Sequence, residues 1–202
     1  YRLAKQADVL MLLYLFGEAE LIALAGRLDY HLDSAQLADT VDYYLARTAH
    51  GSTLSRVVHA SVLAARDPDR AWHTFREALD ADLDDTQGGT TRTGIHLGAM
   101  AGTIDVVQRT FAGLRFTREG LVFSPLLPAG LRSVTFRIRY RDQLLKVGLN
   151  HRRLRISAAA GDADPVPIRI GSQRLLLEAG EVQEFGLETD REPGGGAGRP
   201  PR

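Results

Sequence analysis

Val134-Thr135-Phe136-Arg137-Ile138-Arg139-Tyr140-Arg141 alternates apolar and polar side chains without a slip. A period of two is the mark of a strand with one buried face and one wet face. The arginines of this stretch then belong to the wet face, with the other basic residues that crowd nearby: Arg132, Lys146, Arg152, Arg153 and Arg155. Working outward, short runs of strand character recur at 121–124, 143–149, 152–157, 168–170, 173–177 and 182–185. Strands this short and this evenly spaced predict a small antiparallel sandwich or roll.

Upstream of residue 114 the period changes to that of helices. Residues 4–16 are rich in Leu and Met and read as a buried helix, while 18–30 and 34–46 carry apolar residues at helical spacing. Leu54, Val57, Val58, Val62 and Ala65 mark one face of a further helix. Asp67-Pro68 supplies an N-cap and a first-turn proline for the next, whose stripe is Ala71, Trp72, Phe75, Ala78 and Leu79. Two shorter helices are expected near 94–101 and 104–112. Residues 124–128, Ser-Pro-Leu-Leu-Pro, read as the connector between halves. Pro, Gly and Arg dominate from about 189 onward, which predicts a disordered tail over 189–202.

Composition narrows the function classes. The 202 residues are 44% hydrophobic, enough for a real core, and 25 basic residues balance 25 acidic ones. A net charge of zero argues against a nucleic-acid or acidic-membrane binder, whose affinity rests on accumulated positive charge. With no cysteine there are no disulfides and no cysteine-zinc sites, which fits a reducing, cytoplasmic setting. The longest apolar run, 9–16, is far shorter than the ~20 residues of a membrane span. The chain begins Tyr1-Arg2-Leu3 and enters a helix directly, so a segment upstream of it is expected.

Two loops at helix starts have the character of an anion site. The first is His50-Gly51-Ser52-Thr53, before the helix that begins near Leu54; the second is Gly88-Gly89-Thr90-Thr91-Arg92-Thr93-Gly94-Ile95-His96. A helix start offers unpaired N–H groups and the positive end of the macrodipole. Glycine admits a ligand to the backbone, and hydroxyls and a histidine add donors, a combination suited to phosphate or another oxyanion. Ordinary caps and turns use the same residues, and the spacing matches no P-loop or dinucleotide fingerprint. Lys5 and Asp8 form a third oddity: a lysine at a helix start opposes the dipole unless it reaches outward to solvent. Among the remaining histidines no pair has metal spacing, so no metal is expected. The carboxylates of Asp80, Asp82, Asp84 and Asp85 read as a solvated acidic helix end.

The same residues carry a family resemblance. Lys5-Gln6-Ala7-Asp8-Val9-Leu10, Arg47-Thr48-Ala49-His50-Gly51-Ser52-Thr53-Leu54-Ser55 and Gly89-Thr90-Thr91-Arg92-Thr93-Gly94-Ile95-His96 resemble, in order and separation, the C-terminal motifs of glycoside hydrolase family 65. Phe111-Ala112-Gly113-Leu114 and the prolines Pro125 and Pro128 resemble the passage into that family's C-terminal β-domain. The likeness runs over about 1–185. Position 93 is threonine where many members carry glutamate.

The resemblance implies an α+β multidomain fold: 1–113 as the C-terminal part of an (α/α) barrel with about half of its helices, and 114–188 as an antiparallel β-sandwich. The family includes maltose, trehalose and kojibiose phosphorylases and some trehalose hydrolases. By resemblance, phosphate attacks the anomeric carbon of an α-linked glucoside with inversion while a glutamic acid protonates the leaving oxygen. His50, Gly51, Ser52, Thr53 and His96 would line the phosphate site, and Lys5 and Gln6 would contact the sugar. No cofactor is implied beyond inorganic phosphate as co-substrate, and the full-length relatives suggest a homodimer. The general acid is expected upstream of Tyr1, so this chain alone is expected to be inactive. Two other readings remain open: a hydrolase of the same fold that uses water, and a non-catalytic helical scaffold with a carbohydrate-binding β-domain. The last would need exposed aromatic platforms, for which Phe116, Phe123, Phe136, Tyr140 and Phe185 are the candidates.

Overall fold

The computed structural model describes residues 3–187, and the expected tail over 189–202 lies outside them. The described residues form two compact units: a helical one of 3–114 and 124–130, and a β-unit of 115–123 and 131–187.

The helical unit contains α1 (Asp8–Phe16), α2 (Glu18–Arg27), α3 (Ser34–Leu45), α4 (Leu54–Leu63), α5 (Pro68–Leu79) and α6 (Leu97–Asp105). Local chemistry sets several boundaries. Gly17 at φ 73° separates α1 from α2, which turn by 106°. Asp33 accepts from the Gln36 N–H at 2.8 Å while the Gln36 side chain accepts from the Asp33 N–H at 3.1 Å, a capping box for α3. Asp67 accepts from the Arg70 N–H at 3.0 Å and Pro68 opens α5. No helix among the described residues is long and apolar enough to cross a membrane.

α4 is the central helix of the unit, with Val57, Val58, His59, Ala60, Val62 and Leu63 all buried, and it packs against α1, α5 and α6. The crossing with α6 depends on Gly102, because a Cβ there would lie 2.7 Å from Val57 Cγ1. Behind α4, Phe75 and Phe111 meet edge to face at 5.2 Å, and Trp72 stacks on Phe75 at 5.6 Å. Phe111 is fully buried, so its truncation to alanine would cost about 3–5 kcal/mol.

Two expectations for this half change. A single helix replaces the two expected at 94–101 and 104–112, and it widens into a π-turn over Val106–Phe111, where the Ala112 N–H reaches back five residues to Val107 O. Residues 124–130 are not a free connector: Ser124 N donates to Gly113 O and Leu126 N to Phe111 O. Gly113, at φ 65°, is needed there, since a Cβ would fall 2.0 Å from Ser124 O.

The β-unit holds β1 (Arg115–Thr117), β2 (Gly120–Phe123), β3 (Ser133–Tyr140), β4 (Gln143–Asn150), β5 (Arg153–Ala158), β6 (Val166–Ile170), β7 (Gln173–Leu177) and β8 (Val182–Gly186). They form two four-stranded sheets, β1-β2-β6-β7 and β3-β4-β5-β8. Alternation buries Leu145, Val147 and Leu149 of β4 with Leu154 and Ile156 of β5, and leaves Arg137, Arg139, Lys146, Arg153 and Arg155 exposed. The β3–β4 hairpin turns at Arg141 and Asp142, both at positive φ (45° and 65°), as a tight two-residue loop demands.

The sheets are not wholly antiparallel as expected, because β2 and β6 run parallel, with Leu121 opposite Ile168. A parallel pair needs a long crossover, and here the whole of β3, β4 and β5 intervenes in sequence. Of the aromatic candidates, Phe123 and Phe185 are buried, Phe136 and Tyr140 are half-buried, and Phe116 is exposed with its ring 6.0 Å from that of Tyr140.

Candidate functional site

The residues before α1 are not helical: Ala4 pairs with Thr48 and the chain bends at Lys5 and Gln6. Ala4 donates to Arg47 O at 3.0 Å and accepts from the Ala49 N–H at 2.8 Å, and Lys5 O accepts from the Gly51 N–H at 2.8 Å. This short parallel bridge lays Lys5 and Gln6 along the loop that precedes α4. Lys5 therefore does not oppose a helix dipole, because α1 starts only at Asp8. A Cβ on Gly51 would stand 2.9 Å from Lys5 Cγ and 3.1 Å from Lys5 O, so glycine is what lets the two segments touch.

His50 sits next in the loop at φ 50°, uncommon for a residue with a Cβ. Its ring meets that of His59 edge to face, centroids 4.6 Å apart. Burial, and then the charge of Arg56, lower the His50 pKa from the ordinary histidine value and favour its neutral form. His59, held deeper, is pushed down to about 4 by burial and then by His50. At the start of α4 the Ser52 Oγ accepts from the Leu54 N–H at 3.3 Å and Thr53 is buried. Four polar atoms near this helix start are buried without a partner: His50 Nδ1, Ser55 Oγ, Arg56 Nη1 and His59 Nε2. Such groups are costly unless something satisfies them.

The second loop is built around two aspartates from the turns that follow α5. Asp82 Oδ1 lies 2.5 Å from His96 Nδ1 and Asp82 Oδ2 accepts from the His96 N–H at 2.9 Å. Thr91 adds a hydroxyl bond to Asp82 Oδ1 at 3.3 Å, and its N–H bonds Asp85 Oδ1 at 3.2 Å. Bonding by His96 holds the Asp82 carboxyl below the usual carboxylate range. The reading of this acidic cluster as a solvated helix end is therefore corrected for Asp82 and Asp85. Residues Thr90–Thr93 make one 3-10 turn, and His96 precedes α6 with Nε2 3.2 Å from Thr90 Oγ1.

The two loops meet through Gln87, whose Nε2 donates to His50 O at 3.3 Å, while its carbonyl accepts from Thr90 Oγ1 at 3.4 Å. The structure thus joins Lys5 to Gly51 directly, and connects the His50 loop to the His96 loop through one side chain. Gln87 and His59 are contributors that the sequence reading did not place at the site, and Asp82 and Asp85 were read only as a solvated acidic end. The only local hint was the spacing of Asp82 and Asp85 three apart within turns.

The model of the glycosyl hydrolase family 65 central catalytic domain matches residues 1–105, and that of the family 65 C-terminal domain matches 114–177. The chain belongs to glycoside hydrolase family 65. An uncharacterized glycosyl hydrolase of Mycobacterium tuberculosis is 46% identical over 186 residues, covering 92% of this chain and 14% of the relative. Trehalose 6-phosphate phosphorylase of Lactococcus lactis is 35% identical, covering 93% and 24%. A solved human-microbiome protein assigned as a kojibiose phosphorylase superimposes with a TM-score of 0.76 at 24% identity, over 95% of this chain and 26% of that one. The chain spans about a seventh to a quarter of the length of these relatives.

Proposed function

We propose that this family 65 chain carries the phosphate-binding half of an active site for inverting phosphorolysis of an α-linked glucose disaccharide of the trehalose or maltose type. One observation carries the reading: segments far apart in sequence, at Lys5, His50–Thr53 and Thr90–His96, are tied together by the Lys5–Gly51 and Gln87–His50 bonds. Together these segments carry an ammonium, the start of α4, five hydroxyls and two imidazoles. Charge-assisted bonds from such donors to an oxyanion are about twice as strong as neutral ones. Trehalose and maltose phosphorylases among the relatives, at 31% and 29% identity, support the substrate class.

In this mechanism the bound phosphate oxygen attacks the anomeric carbon from the face opposite the leaving sugar oxygen. The bond to that oxygen breaks as a carboxylic acid from the rest of the protein gives it a proton. Phosphate is already a nucleophile, so no carboxylate base is required on the attacking side. Lys5 and Gln6, beside the Gly51 loop, hold the sugar. The test is turnover of trehalose and maltose by the full-length protein with and without phosphate. Phosphate-dependent release of glucose 1-phosphate is the expected result, and equal turnover without phosphate would overturn the reading in favour of a hydrolase.

A further inference from the structure

The Asp82 side chain is 9% exposed, and two of its bonds go to a single residue. Its Oδ2 takes the backbone N–H of His96 at 2.9 Å and its Oδ1 faces the ring Nδ1 of the same residue at 2.5 Å. A carboxylate that grips both ends of one histidine leaves its ring little freedom of rotation. It also fixes the proton, because a carboxylate oxygen offers only lone pairs and Nδ1 must bring the hydrogen. Nε2 is then the ring atom left to exchange protons and ligands, and its near neighbour in the protein is the Thr90 hydroxyl at 3.2 Å.

We propose that Asp82 is the positioning residue of this site: it sets the tautomer and aim of His96 so that Nε2 meets the phosphate. The choice of ligand rests on the phosphorylase reading above; the hold on His96 does not. Hydrogen phosphate carries both an O–H and bare oxygens. Nε2 accepts from the first when His96 is neutral and donates to the second when the ring is protonated. Asp82 is the charged group bonded to the ring, and Asp85 accepts from the Thr91 N–H. Thr91 braces the arrangement by bonding both aspartates.

The decisive variant is Asp82→Asn. The His96 backbone N–H cannot give up its proton, whereas the imidazole can move one. The amide oxygen therefore stays on the backbone N–H, the amide NH2 turns toward Nδ1, and the ring proton shifts to Nε2. Nitrogen-15 spectra of the histidine rings in this chain, at mildly alkaline pH, read the tautomer directly. Titration with inorganic phosphate reads the binding. The wild type is expected to show His96 protonated at Nδ1 and responding to phosphate. Asp82→Asn should show the Nε2–H form, whose Nε2 donates to a bare phosphate oxygen where the neutral wild-type ring accepts from the phosphate O–H. The phosphate-induced change at Nε2 should therefore reverse from that of an acceptor to that of a donor.

A wild-type His96 protonated chiefly at Nε2 overturns the proposal without any variant, so a poorly folded Asp82→Asn does not rescue it. An unchanged tautomer in Asp82→Asn, with phosphate still bound, overturns the role of Asp82 and leaves the phosphate reading intact. A tautomer that flips while neither protein responds to phosphate supports the hold of Asp82 on His96 and removes the phosphate reading instead.

Discussion

His50 and His59 stand edge to face with ring centroids 4.6 Å apart, and each keeps one ring nitrogen buried without a partner. His50 belongs to the candidate site and His59 to the buried face of α4. The deeper ring thus forms the wall against which the site histidine rests, and both rings are favoured as neutral groups. Two imidazolium ions at this separation would repel in a setting poor in water.

A pH dependence of stability follows. The His59 pKa falls from 6.5 in the unfolded chain to about 4 in the folded one. A depressed folded pKa means that the unfolded state takes the proton first as pH drops. The stabilisation is complete above the unfolded value, declines as pH falls below 6.5, and is gone below about 4. The shift corresponds to a change on the order of 3 kcal/mol. Thermal unfolding across that range should show a falling melting temperature in the wild type and a much flatter profile in His59→Leu. Equal slopes for the two proteins would place the acid sensitivity elsewhere.

Gly51→Ala tests the contact between the Lys5 segment and the site loop. The added methyl meets Lys5 Cγ at 2.9 Å and Lys5 O at 3.1 Å, so the backbone oxygen must retreat by a few tenths of an ångström. That movement loosens the Gly51 N–H to Lys5 O bond. Global stability should fall by about 1 kcal/mol, while the sugar KM of the full-length enzyme rises several-fold. An unchanged KM would show that Lys5 and Gln6 do not act from this position.

Gly102→Ala tests the packing beneath the site. A Cβ at 2.7 Å from Val57 Cγ1 overfills the α4–α6 crossing, which costs about 1–3 kcal/mol. Val57→Ala in the same chain opens the space again, so the double variant should be more stable than the sum of the single losses predicts. Strict additivity in denaturant unfolding would mean that the helices part rather than repack.

What could be read from the sequence was what local chemistry determines. Asp67-Pro68 announces the start of α5 because cap and proline act within one turn, and 134–140 announces β3 because its alternation needs no partner to be visible. The two candidate loops stood out for the same reason, since glycines, hydroxyls and histidines cluster along the chain. What escaped was set by distant partners. Asp82 lies fourteen residues from His96, a separation with no periodic signature. Lys5 looked like part of a helix because an apolar run follows it, yet Ala4 bonds Arg47 and Ala49, and Lys5 O accepts from the Gly51 N–H. The parallel pairing of β2 with β6 is a choice of partner that neither strand advertises.

Gln87 supplies the sharpest test of whether the two loops make one site. It is half-buried, and its side chain spans from the second loop to the His50 carbonyl at 3.3 Å. Gln87→Ala deletes that bond and leaves its own backbone carbonyl in place for Thr90. A single long hydrogen bond is worth about 0.5–1.5 kcal/mol, so the melting temperature should move little. If both loops clasp one phosphate, losing the tie should weaken phosphate binding several-fold, with the ring signals of His50 and His96 losing their response in parallel. If the His96 response survives intact while only His50 is disturbed, the loops act separately, and the anion belongs to the loop that holds Asp82.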